Sequence, residues 1–166
     1  MEFNKTCENP MLICGIELIK EKDTPERRET LFKELTEASF IVGGFPDREP
    51  VTGDDGELHI TEGTNVRFPM LSNPQNQPFV VAFTDKYEFD KWQPKEKLYP
   101  FKISFGELAM TVLAKNSKGV GSPALGIVIN PFGSDLVLPK ESVAKLAGPV
   151  LAKMQQEARA KKEEQQ

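Results

Sequence analysis

Apolar residues recur at helical spacing from the start of the chain, and Leu12, Ile13, Ile16 and Ile19 predict a first helix over 9–22 despite Gly15. Thr24, Pro25 and Glu26 supply a cap, a first-turn proline and an acid facing the positive end of the helix dipole. A second helix follows, its stripe formed by Leu31, Phe32, Leu35 and Ala38. Phe40-Ile41-Val42 is wholly apolar and is stopped by Gly43-Gly44, the pattern of a short buried strand. The stretch from Pro46 to Gly56 is punctuated by proline and glycine and reads as a surface loop. Leu58 and Ile60 then alternate with polar residues, Glu62-Gly63-Thr64-Asn65 turns the chain, and Val66, Phe68 and Met70 resume the alternation, which predicts a β-hairpin.

After the polar tip at 72–77, Phe79 to Phe83 forms a continuous apolar strand, so the middle of the chain reads as an antiparallel meander. Thr84 or Asp85 caps a short helix, Asp85 and Glu88 having the spacing of a capping box, with Phe89 and Trp92 on one face. Ser104 and Glu107 repeat the device ahead of Leu108, Ala109, Val112 and Leu113. A turn at 118–123 leads to a buried strand, Leu125 to Ile129. Asn130-Pro131-Phe132-Gly133-Ser134 turns tightly into Leu136-Val137-Leu138, and Pro139 opens a last helix that Gly148-Pro149 must kink or divide. Beyond Met154, residues 155–166 are strong helix formers without an apolar stripe, so they extend or fray as a polar tail. The expected division is therefore one domain over 1–154 plus that tail. Its class is α+β, a mixed, mainly antiparallel sheet of about five or six strands with flanking helices and a C-terminal helix.

Composition adds exclusions more than assignments. The 25 acids against 21 bases leave a net charge of −4, whereas duplex-binding modules carry a basic face, so nucleic acid is not an expected partner. No apolar run approaches the length of about 20 residues that spans a bilayer, and the start is too polar for a signal peptide. With only Cys7 and Cys14 as thiols, a reducing, cytoplasmic setting is expected, Cys14 serving as a small hydrophobe of the first helix.

Few residues offer chemistry. His59, the single histidine, stands on the polar face of its strand, and nothing nearby in sequence supplies both a nucleophile and an orienting acid. Asp54-Asp55 before Gly56 does not make a calcium loop, because counting back from the glycine puts Val51 where an acid is required. Glycines 43, 44, 119 and 121 fit neither phosphate-binding pattern, and serines 104, 122 and 134 lie outside any nucleophile elbow. No catalytic residue, metal ligand or cofactor is expected. What remains are two junctions of similar design, in which a buried strand runs into Phe83-Thr84-Asp85 and a helix ending near Trp92, and another runs into Asn130-Pro131-Phe132. These seven residues are the candidate binding set. The two turns are expected to meet at one sheet edge, with Trp92 partly buried beside them.

The stretches "FVVAFTDKYEFDKW" and "ALGIVINPFGSDLVLPKESV", with the early helical pair beginning near Asn9-Pro10 and the strand at Phe40 to Val42, resemble the N-terminal domain of the SseB family over about residues 9–147. These are bacterial proteins named for a serine-sensitivity phenotype. The resemblance brings no catalytic residue to this chain, and larger members carry a second, C-terminal domain for which no counterpart is expected here. The leading expectation is a non-enzymatic, cytoplasmic protein-interaction module with a protein partner. The alternative, prompted by the family's name, is a small-molecule sensor or minor enzyme of amino-acid metabolism. A cavity lined by convergent polar groups at the two junctions favours the second, and a flat apolar patch the first.

Overall fold

Thr24 accepts a hydrogen bond from the Arg27 amide, and this cap starts α2 (Pro25–Glu37). It packs on α1 (Pro10–Glu21). Leu12, Gly15 and Ile16 of one helix and Leu31 and Leu35 of the other are buried. Phe32, an expected member of the second stripe, is 38% exposed, and Cys14, expected as a small hydrophobe, lies on the solvent side of α1. The computed structural model describes residues 1–164.

The strand expected at 40–42 does not stop at its glycines. It is β2 (Ser39–Pro46), which follows β1 (Glu2–Phe3) in the chain. Side chains from elsewhere lie over Gly43 and Gly44: a Cβ would fall 2.6 Å from Leu98 at the first position and 2.6 Å from Val66 at the second. The glycines thus let β2 pass beneath its cover. The loop expected at 46–56 carries β3 (Val51–Thr52), and the hairpin expected across residues 58–70 does not form. The turn itself exists, with the Thr64 amide bonded to the Thr61 carbonyl and Gly63 left-handed at φ +75°. Its arms find other partners. β4 (Leu58–His59) pairs with β3, β5 (Val66–Arg67) pairs with Phe45 and Pro46 of β2, and β6 (Met70–Ser72) pairs with β7 (Pro78–Ala82). Val66 is drawn to Gly44, where it fills the space that the missing Cβ leaves.

Besides the two-residue β1, a longer strand has no counterpart in the sequence reading. After α3 (Lys86–Asp90), β8 (Tyr99–Ser104) runs antiparallel to β2 over six residue pairs. Tyr99, Phe101 and Ile103 face inward at strand period, but Pro100 hides the pattern. The Pro100 carbonyl accepts from the Asn4 amide, so its imide nitrogen points toward the β1 side, and no bond to β2 is lost. Ser104 and Glu107 then form both halves of their capping box at the start of α4 (Phe105–Leu113). β9 (Gly126–Ile129) lies parallel to β7, and β10 (Leu136–Pro139) closes antiparallel on β9.

Reciprocal bonds between Ile41 and Phe83, 2.9 and 2.8 Å, join β2 to the end of β7. The order β1-β8-β2-β7-β9-β10 therefore runs side by side, and the domain is α+β with a mixed, mainly antiparallel sheet. Strand alternation splits its apolar residues between two faces. Phe40, Val42, Ala82, Phe101, Ile103, Ile127 and Ile129 join the main core with α1, α2, α4 and α5 (Lys140–Glu164). Ile41, Val81 and Phe83 face the other way, onto Phe89 of α3, Trp92, Leu98 and Val128.

Helix α5 is not divided at Gly148-Pro149. Pro149 and Lys145 are both exposed, so the hydrogen bond that proline cannot donate is missing on the solvent side, where a free carbonyl costs little. Val150 and Met154 cover Gly106 of α4, and from Gln155 to Lys162 every residue is exposed on a continuing helix. The last two residues of the expected tail, 165 and 166, lie outside the described residues.

Candidate functional site

Because β7 and β9 are parallel neighbours, the chain leaves both at the same sheet edge, the place where open α/β sheets bind ligands. The Asn130 amide bonds to the Ala82 carbonyl at 2.9 Å and extends the ladder by one residue. Asn130 then turns left-handed at φ +52°, a conformation that asparagine tolerates better than most residues. This aims its side chain at Thr84: Asn130 Oδ1 accepts from the Thr84 amide at 3.0 Å, and Nδ2 donates to Thr84 Oγ1 at 2.9 Å. The Thr84 hydroxyl donates to Asp85 Oδ2 at 2.7 Å, and Asp85 Oδ1 accepts the Glu88 amide at 2.9 Å, which caps α3. Thr84, Asp85 and Asn130 are all buried. Their polar atoms are spent on one another, so the junction is a closed structural clasp and not a set of groups converging on a cavity.

Asn9 extends the clasp to the start of the chain. Its side chain caps no helix; instead Nδ2 donates to the carbonyls of Ser39 and Thr84, each at 2.7 Å, and so ties the start of α1 to β2 and to the end of β7. Cys7 lies beside it, its thiol 3.2 Å from the Ser39 carbonyl, and burial pushes that thiol up to about 11. A thiol held protonated in this way is a poor nucleophile. Neither residue stands out by spacing, since the carbonyls they meet are tens of residues away.

Half of the expected Asp85–Glu88 box forms. The Glu88 carboxylate turns away from the cap, with Oε1 2.6 Å from Lys91 Nζ and Oε2 buried without a hydrogen-bond partner. Gly133 sits directly on it, and a Cβ there would collide with Glu88 Oε2. Gly133 thus lets the Glu88 carboxylate lie against the turn, while Asn130 takes the positive φ.

The Asn130–Gly133 turn carries Phe132 onto an aromatic stack. Phe132 lies nearly parallel to Phe83 with centroids 6.4 Å apart, and Trp92, half-buried, sits 5.9 Å from Phe83 and 6.1 Å from Phe132. All seven candidate residues are therefore adjacent, as the two-junction reading expects. They divide by role: Thr84, Asp85 and Asn130 hold the turns together, whereas Phe132, with Pro131, presents apolar surface. Next to Phe132 the outer sheet face forms a groove of about 360 Å³, floored by Leu71, Phe79 and Val128 and bounded by Pro131 and Val137. Phe132 and Val137 are 45% and 47% exposed. Sequence reading missed this groove because its residues come from four strands and a turn.

The remaining sequence candidates lie apart from it. His59 pairs with Asp55 at 2.9 Å within the β3–β4 hairpin, and the imidazole holds that carboxyl below the usual carboxylate range. Among the described residues there is no group of three or more histidines, cysteines or acids placed to hold a metal ion, and no helix long and apolar enough to cross a membrane.

Fold and site together define a small α+β domain with a clasped sheet edge and an apolar groove beside it. Residues 16–145 match the family described as the SseB protein N-terminal domain, and the chain belongs to that family. No curated protein and no solved structure matches it.

Proposed function

We propose that the chain is a non-enzymatic protein-interaction module that takes apolar side chains of a partner protein into the groove beside Phe132. One observation carries the reading: Phe132 and Val137 remain about half exposed over a floor of Leu71, Phe79 and Val128, so a contiguous apolar surface is open at a rigid sheet edge. Phe132 is a suitable anchor, because its stacking on Phe83 and Trp92 restricts the ring before a partner arrives. The sensor or enzyme reading needs polar groups aimed at a ligand, and those of the junction are bonded to each other. A cytoplasmic setting belongs to the same proposal, supported by the exposed thiol of Cys14.

Selection of a random-peptide display library against the parent and against a Phe132→Asp, Val137→Asp double variant tests the proposal. The expected result is enrichment of apolar peptides on the parent alone, with bound peptide shifting the methyl NMR signals of Leu71, Val128 and Val137. Equal enrichment on both proteins, or shifts confined to other surfaces, would overturn it.

A further inference from the structure

A second apolar space lies on the other face of the sheet. β6 and β2 both flank β7 on the same side, β6 along residues 78–80 and β2 only at Phe83. Where they part, a cavity of about 140 Å³ opens beneath α4. Val42 and Ile103 form its floor and are 6% and 2% exposed, Val80 lines one side, and Phe68 and Met70 stand at the mouth, 39% and 40% exposed. Phe68 is held in place, lying over Gly44 and packing edge-on against Phe101 with centroids 5.2 Å apart.

The geometry points to this cavity as a binding site for a small, uncharged apolar molecule about the size of one aromatic ring. Thr111 of α4 supplies the lone polar side-chain atom of the lining, and its hydroxyl is already donated to the Leu108 carbonyl at 2.6 Å. A buried water needs two to four polar partners, and a charged ligand needs a counter-charge or several donors; Met1 also lines the space, but its N-terminal ammonium is held 2.6 Å from Glu107 Oε1, so its charge is already paired. The volume of the cavity is close to the roughly 150 Å³ of an engineered apolar cavity that stays dry and admits benzene. Met70 at the mouth has an unbranched, polarizable side chain that swings aside at low cost, so entry needs no movement of the sheet. Met70 and Val80 alternate with Leu71 and Phe79, so this site and the groove beside Phe132 lie on opposite faces and are tested separately.

The test is a titration of benzene into the full chain carrying ¹³C-labelled methyl groups. Saturable shifts at Val42, Val80, Ile103 and Met70, with Leu71, Val128 and Val137 unmoved, are expected. Val80→Phe should fill the cavity, raise Tm and weaken benzene binding at least tenfold. Should that variant fail to fold, Thr111→Phe, at an exposed position of α4, closes the space from the helix side with the same loss. Shifts that grow without saturating, shifts of equal size in the other groove, or unchanged affinity in a folded filled variant would each overturn the assignment.

Discussion

Asn130→Ala probes the clasp at its centre. Asn130 is 1% exposed, and its removal takes away the acceptor of the Thr84 amide and the donor to the Thr84 hydroxyl. A buried amide left without a partner costs about 1–3 kcal/mol. Alanine must also adopt the φ of +52° held by residue 130, at a further cost of about 1–2 kcal/mol. Some relaxation of the turn offsets part of this sum, and a loss of about 3 kcal/mol is expected, equivalent for a chain of this size to a fall in Tm of about 6–12 °C. Asn130→Gly separates the two contributions. It loses the same hydrogen bonds but accepts the left-handed backbone, and should be about 1 kcal/mol more stable than the alanine variant. Urea unfolding followed by Trp92 fluorescence and by far-ultraviolet circular dichroism measures both. An alanine variant within 1 kcal/mol of the parent would refute the clasp, and a glycine variant no more stable than alanine would refute the backbone contribution.

Gly133→Ala should cost no more than about 1 kcal/mol, because its Cβ meets only the ends of the Glu88 and Lys91 side chains, which can swing aside, and Glu88→Ala in the same chain should recover that loss; additive effects in the double-mutant cycle would show that the two residues are not in contact. In the folded protein at pH 8, an aromatic disulfide reagent should label Cys14 quickly and the half-buried Cys7, its thiol pushed up to about 11, much more slowly, so two equally fast equivalents would contradict this reading. The same thiol sets a pH dependence. Its ordinary value is 9.0 and its folded value about 11, so the protonated form is favoured by folding; its contribution is constant below pH 9 and declines from pH 9 to 11, which alkaline unfolding of Cys7→Ala against the parent measures. Removal of residues 156–166 should change Tm by less than about 2 °C, since residues 156–162 bury no apolar surface; a larger drop in calorimetry would show that the segment docks.

Local rules were sufficient wherever the deciding contacts are short in sequence. Thr24, Asp85 and Ser104 cap the helices they precede because each oxygen meets an amide three residues on. The continuous apolar runs before Phe83 and Asn130 marked the two central strands for the same reason, since a strand buried on both faces leaves no polar position. Their turns were legible as turns, and the pairing of Thr84 with Asn130 followed once the strands were taken as neighbours.

Tertiary structure decided what depends on partners distant in the chain. The alternation at 58–70 was legible, but not which strand would accept each arm, because Val66 goes to the gap above Gly44 and that gap exists only after β2 has paired with β8. β8 was hidden by Pro100, whose cost vanishes only because its imide nitrogen points away from β2. The roles of Asn9 and Cys7 rest on carbonyls at 39 and 84, and the groove beside Phe132 on side chains from four strands. A single sequence records the chemistry of each residue and its near neighbours, whereas burial and open surface are properties of segments brought together by the sheet. The amino acids at the clasp were therefore apparent from the sequence, and the division of those residues into a closed hydrogen-bonded core and an open apolar face was set by the parallel pairing of β7 with β9.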